Sequence, residues 1–250
     1  MDPYRDGGGS LTRLLVFDVD STLLEVETLD LALEMAAERG RAGAPAGPGV
    51  GTGPEAGSDL TRRLGAITSA GMEGALGLSE SLLRRLSLVR LTRPAVDAAA
   101  AGIAGRPVPG MSDLLSDLRA AGDLVRAVSG GFLALVLPAL SRLGFEAGHV
   151  RANVFVWEGE GQDAVVAGFE AESPLARSGG KAAVVRELRA ELEADVTVVV
   201  GDGITDLEAW EAGAADRFVG FGGVARRDSV AERAPEYAEG VGELRRLLLG

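Results

Sequence analysis

The chain has 250 residues, 46% of them apolar, and its 37 acidic against 25 basic residues give a formal charge of −12. That length suits one α/β domain or one domain with a small insertion, and the acidic surplus repels nucleic acid and anionic membrane, so neither is expected as a partner. The absence of cysteine removes disulfides, thiolate zinc sites and thiol nucleophiles, and the single histidine, His149, argues against a histidine-centred mechanism.

In chain order, residues 11–19 form an apolar run ending in acids and predict a strand, and residues 29–37 carry helical spacing. Residues 40–58 are almost all Gly, Ala and Pro, a composition that predicts a flexible loop because it buries too little to offset ordering entropy. Residues 60–89 predict helix, with Leu82, Leu83, Leu86 and Val89 as an apolar stripe, and residues 94–104 predict another. A second alternation follows: helix over 114–121, strand over 124–128, and a helix over 132–143 started by two glycines. Residues 154–169 predict a hairpin turning near 159–162. A helix over 181–192, a fully apolar strand over 196–200, a short strand at Phe218 and a closing helix over 241–249 complete the pattern.

Strands alternating with helices predict a parallel sheet covered on both faces. The stretch 25–104 is helical throughout and reads as a cap inserted after the first strand, leaving 1–24 and 105–250 as the core. Neither the polar N-terminus nor any later segment has the apolar run of a signal peptide or a bilayer span, so a soluble, cytoplasmic protein is expected.

Four segments stand at or just after strand ends, where open α/β sheets bind ligands. In Asp18-Val19-Asp20-Ser21-Thr22, two carboxylates sit two residues apart; crowding them is costly unless a cation or a proton joins them. Val128-Ser129-Gly130-Gly131-Phe132 runs from a strand into a helix and offers amides and a hydroxyl to an anion. Ser178-Gly179-Gly180-Lys181 puts a lysine at a helix start, against the helix dipole. Val200-Gly201-Asp202-Gly203-Ile204-Thr205-Asp206 ends a buried strand in carboxylates suited to a hard cation. Alone, each has an ordinary reading: a solvated turn, a helix cap by Ser129, a surface lysine, an Asp-Gly turn. Together they supply a nucleophile, an acid, an anion cradle, a compensating cation and a metal site, the requirements of phosphoryl transfer.

These segments, in this order, resemble the four motifs of the haloacid dehalogenase superfamily, and within it the phosphoserine phosphatase family. Val219-Gly220-Phe221-Gly222-Gly223 adds to the likeness, which spans nearly the whole chain. The resemblance implies a Rossmann-like parallel-sheet core with a small helical cap, and hydrolysis of O-phospho-L-serine, the last step of serine biosynthesis, through an aspartyl-phosphate. It implies Asp18 as nucleophile and Asp20 as acid and then base. Mg2+ would be held by Asp18, the Asp20 carbonyl and Asp202, with Asp206 in support. Ser129, Gly130, Gly131 and Lys181 would bind the phosphoryl group, with Thr205 close by. Glu27 and Met72 would face the serine moiety, Gly74 completes the family's Met-x-Gly pattern, and Arg85 would pair with the substrate carboxylate, a bidentate task suited to Arg. Against a substrate role, Arg85 has Arg84 beside it and also reads as a helix-surface ion pair. A further family arginine falls at Arg226 or Arg227.

Two features depart from the family: Leu78 replaces a usual phenylalanine, and the 40–58 stretch is long. The competing functions are a phosphatase or phosphotransferase for another small ester, such as phosphohomoserine, and a non-catalytic Mg2+- or phosphate-binding regulator. Trp157 and Trp210 are expected to pack, and His149 to lie in a surface turn.

Overall fold

A computed structural model describes residues 11–43 and 54–250. Its strands are β1 (Arg13–Phe17), β2 (Leu124–Phe132), β3 (Val150–Asn153), β4 (Phe155–Glu158), β5 (Val165–Phe169), β6 (Val196–Gly201), β7 (Arg217–Phe221) and β8 (Glu236–Ala238). Six of them form one parallel sheet in the order β3-β2-β1-β6-β7-β8, and β4 and β5 form a separate antiparallel hairpin. Every residue of β1 and β6 is buried, which is why both read as mainly apolar runs, broken by Arg13 and Thr197, rather than as alternating ones. Side chains still alternate between faces. Leu15 and Phe17 enter one core cluster, and Leu14 and Val16 enter the other.

The helices α1 (Thr28–Gly43), α2 (Pro54–Met72), α3 (Leu78–Leu86) and α4 (Arg93–Ile103) all fall between β1 and β2. The two ends of this excursion meet at a bridge between Leu24 and Pro107. The helix α5 (Met111–Ala120) leads into β2, and α6 (Leu133–Arg142), α7 (Gly180–Glu191), α8 (Ile204–Glu211), α9 (Asp228–Ala231) and α10 (Val241–Leu249) follow. Among the described residues no helix is long and apolar enough to cross a membrane.

Several elements differ from expectation. The helix expected over 132–143 begins at Leu133, and Ser129, Gly130 and Gly131 remain in β2. The reason is a side chain from β3: Asn153 Nδ2 donates to the Gly130 carbonyl at 2.8 Å and to the Leu175 carbonyl at 3.3 Å, holding the glycines extended. The segment expected to be helical over 60–89 breaks between α2 and α3, where Gly74 takes a left-handed φ of 78° that a side chain resists. The expected loop over 40–58 is helical at both ends, as the close of α1 and the start of α2; residues 44–53 lie outside the described residues. Strands β3 and β8 and helices α8 and α9 were not expected. All four are three to eight residues long, too little pattern for periodicity to register.

The turn before α7 is packed against backbone. A Cβ on Gly180 would lie 1.6 Å from the Pro174 carbonyl oxygen, and backbone cannot yield as a flexible side chain does. Gly180→Ala is therefore expected to lower unfolding free energy by about 2–3 kcal/mol or more, read as a fall in the denaturant midpoint at unchanged slope.

Candidate active site

The register of the sheet brings three chain reversals together. Phe17 pairs with Ala127 on one side and Val200 on the other. Asp18, the Ser129 stretch and Asp202 therefore emerge side by side at the C-terminal edge. Lys181, in the first turn of α7, completes the floor. Its buried ammonium donates to Asp18 Oδ1 and to Asp206 Oδ1, each at 2.7 Å. Burial opposes the charge on Lys181, but the Asp18 and Asp206 carboxylates outweigh it and hold the proton more firmly than usual. This is why a lysine is tolerated at a helix start: two carboxylates, not the helix dipole, decide its energy.

Glycines admit this crowding. A Cβ on Gly201 would lie 2.2 Å from Asp206 Cγ, so only glycine lets Asp206 turn back beneath β6. The Gly203 amide donates to Asp206 Oδ2 at 3.2 Å. Burial, and then the charge of Asp18, raise the Asp206 proton affinity against the pull of Lys181, to a pKa of about 7. Asp202 accepts from Thr22 Oγ1 at 3.1 Å and from Arg227 Nε at 2.7 Å, and burial followed by Asp18 raises its pKa well above the usual carboxylate value.

Asp20 faces a different partner. Thr28, at the start of α1, donates its amide to Asp20 Oδ1 at 3.3 Å and its hydroxyl to Oδ2 at 3.2 Å. Burial, then the charges of Glu27 and Asp18, push the Asp20 pKa well up, and the Thr28 bonds only partly offset this. The two acids of the first segment thus lie in unlike settings: Asp18 on a cation, Asp20 on a neutral threonine. Between Asp20 and the start of α1 the chain turns through Ser21 at a positive φ of 53°, and its hydroxyl donates to Glu27 Oε1 at 2.9 Å. Arg227 reaches the same Glu27 oxygen at 3.0 Å, while Glu27 Oε2 is buried with no partner among the described residues.

One cavity connects these groups. Asp18, Asp20, Glu27, Met72, Arg85, Ser129, Gly130, Gly131, Lys181 and Thr205 line it, with Leu29, Gly71, Leu78, Leu82, Leu175 and Arg177. Every site residue expected from sequence lies on this wall except Asp202 and Asp206, which are buried and tied to it through Arg227 and Lys181. Ser129 acts otherwise than as a helix cap. It accepts from the Gly131 amide at 2.9 Å, which leaves its own proton for a ligand. Leu78 lies against Gly130. Arg85 is buried and paired with Asp30 rather than lying on a helix surface. Of the two late arginines, Arg227 points inward to Asp202 and Glu27, and Arg226 is exposed, bonded to Glu239 and set over Tyr237. Outside the cavity, Trp157 packs edge-on to Phe155 under Arg93, Trp210 packs against the second core cluster, and His149 sits in a half-buried turn.

Thr28, Asp30, Thr68 and Arg177 were not singled out in the sequence. Thr28 and Asp30 sit in the first turn of α1, where such residues ordinarily cap helices; Thr68 carries no pattern of its own.

The donor set decides whether a metal fits here. Oxygens from Asp18, Asp202 and Asp206 all lie within 4.8 Å of one another. Lys181 bonds Asp18 and Asp206, and Arg227 bonds Asp202 and Glu27, so four buried or half-buried carboxyls share two cationic side chains, with Asp20 close by on Thr28. A hard divalent cation with oxygen ligands fits that deficit.

A model of the haloacid dehalogenase-like hydrolases matches residues 15–211, and the chain belongs to that family. Human phosphoserine phosphatase is 33% identical over 234 residues, 91% of each chain. The Drosophila melanogaster phosphoserine phosphatase is 31% identical, over 90% of this chain and 74% of that one. A solved phosphoserine phosphatase, an analogue of its phospho-aspartyl intermediate, matches with a TM-score of 0.73 at 26% identity, covering 95% of this chain and 98% of that one. A substrate-bound phosphoserine phosphatase complex matches with a TM-score of 0.73 at 25% identity, covering 96% and 98%.

Removing the shared cation should expose its structural share. Lys181→Ala leaves Asp18 and Asp206 buried without their cation, and in chelator it is expected to cost about 3–5 kcal/mol of unfolding free energy. A urea titration giving a loss below about 1 kcal/mol would mean that the carboxyls relax by taking up protons.

Proposed function

We infer that this protein is a phosphoric monoester hydrolase that converts O-phosphoserine to serine and inorganic phosphate. The observation that carries the reading is that one cavity holds two recognition sets: Asp18, Lys181 and Ser129 for a phosphoryl group, and Glu27 and Arg85 for an amino-acid head group. The 33% identity to human phosphoserine phosphatase across 91% of both chains supports it.

In this reading Asp18 attacks phosphorus and becomes aspartyl-phosphate. The Lys181 bond at 2.7 Å holds Asp18 in place, and the ammonium offsets charge on the phosphoryl oxygens. Asp20, which retains its proton because it is buried near Glu27 and Asp18, passes that proton to the departing seryl oxygen. It then takes a proton from the water that opens the intermediate. Ser129 donates its free hydroxyl hydrogen to a phosphoryl oxygen, beside Gly130, Gly131 and Thr205. Asp18, the Asp20 carbonyl and Asp202, with Asp206 in support, would hold Mg2+, which when bound would neutralise charge on the phosphoryl group and help orient it.

The unpartnered Glu27 Oε2 suits a substrate ammonium, and Arg85 suits the carboxylate. Residues 25–104 serve as the cap that closes these groups over the core formed by 1–24 and 105–250, with Met72 and Leu78 as its apolar face. Leu78 leaves more room than an aromatic ring, so a longer ester such as phosphohomoserine is the competing substrate. The −12 charge argues against nucleic-acid or membrane partners, and action in the cytoplasm belongs to the same reading.

Phosphate release from a panel of small esters with magnesium tests it. Phosphoserine is expected among the best substrates, Asp18→Asn to lower kcat by about 10⁴-fold or more, and chelation to abolish turnover until magnesium is restored. Poor hydrolysis of phosphoserine beside a better ester sinks the substrate assignment; full activity of Asp18→Asn sinks the mechanism. Arg85→Ala is expected to raise KM for phosphoserine about tenfold or more while changing that for an aryl phosphate far less.

A further inference from the structure

Arg85 does not hang freely in the cavity wall. Its side chain is 8% exposed and is held from three helices. Within α3, Nε donates to the Ser81 carbonyl at 3.4 Å. From α1, Asp30 Oδ1 accepts from Nη1 at 3.2 Å. From α2, Thr68 Oγ1 accepts from the same Nη1 at 3.2 Å and donates its own proton to Asp30 Oδ2 at 2.5 Å. The three side chains close a ring in which both Asp30 oxygens are engaged. The other terminal nitrogen, Nη2, has no protein partner among the described residues, and Arg85 lines the cavity.

Two physical consequences follow. An arginine this buried needs a countercharge to stay in place in an empty cavity, and Asp30 supplies it. A free arginine also loses about 2 kcal/mol of rotamer freedom when a ligand fixes it; here folding has already fixed the group, so binding does not bear that loss. Because Asp30 is saturated by Arg85 and Thr68, it holds the guanidinium without offering a bare oxygen to repel an incoming carboxylate.

We propose that Asp30 and Thr68 are positioning residues for substrate selection: they clamp one edge of Arg85 so that its remaining edge meets the α-carboxylate of a phosphorylated amino acid. Discrimination against phosphate esters lacking a carboxylate then depends on residues that touch no substrate. The inference rests on the phosphoserine reading and deepens it.

The test compares KM and kcat for phosphoserine and p-nitrophenyl phosphate in magnesium-loaded wild type, Asp30→Asn, Thr68→Val and Thr68→Ser. Asp30→Asn and Thr68→Val are expected to raise KM for phosphoserine by about tenfold, with kcat and the aryl-ester KM moving far less. Thr68→Ser, which restores the hydroxyl, should return KM close to wild type. In an Arg85→Ala background the same substitutions should add little, since their effect runs through Arg85. A structural role would instead move both substrates together and would persist without Arg85; either result overturns the proposal. If Asp30→Asn does not fold, the Thr68→Val and Thr68→Ser pair decides alone. A wild type that hydrolyses the aryl ester but not phosphoserine overturns this inference and the function together. A wild type that prefers phosphoserine, with variants indifferent to the carboxylate, overturns this inference only.

Discussion

The ammonium of Lys181 stands 2.7 Å from Asp18 and 2.7 Å from Asp206, and much of the molecule is arranged around making that possible. Three carboxylates at one sheet edge repel one another strongly in a medium from which water is excluded. Lys181 neutralises part of that charge, and Arg227 neutralises more by joining Asp202 to Glu27. The remainder is a standing deficit of positive charge, which a divalent cation can offset. The fold stores electrostatic cost at this edge and offsets it with two fully buried strands, β1 and β6, directly behind.

From that arrangement the division of labour between Asp18 and Asp20 follows. They are two residues apart, yet one meets a lysine and the other a threonine. Environment alone separates them: Asp18 lies on a cation, and burial with the charges of Glu27 and Asp18 pushes Asp20 toward holding a proton, the kind of separation acid–base chemistry at neutral pH requires. The helices between β1 and β2 repeat the principle at longer range. Arg85 and Asp30 pair between α3 and α1, and Thr68 from α2 closes a hydrogen-bonded ring with both.

The parallel sheet and the four site segments were legible because each leaves a strong local trace: apolar runs bounded by Asp, Ser or Gly. What was not legible depended on long-range contacts. The end of β2 was misplaced because the deciding group is Asn153, a side chain more than twenty residues away that holds Gly130 extended. Arg226 and Arg227 are indistinguishable as neighbours in a sequence; only the path of the loop after β7 sends one inward. Thr68 and Asp30 look like ordinary helix residues until three helices converge on Arg85.

The central claim is that phosphorus passes through the Asp18 carboxylate. Its most direct test is to quench the magnesium-loaded enzyme in acid during turnover of radiolabelled phosphoserine and to locate the bound label by peptide mass analysis. The account predicts label on the peptide carrying Asp18, as an acyl phosphate lost on mild alkaline treatment. Label on another residue, or full-rate phosphate release with no labelled enzyme at any quench time, would contradict it.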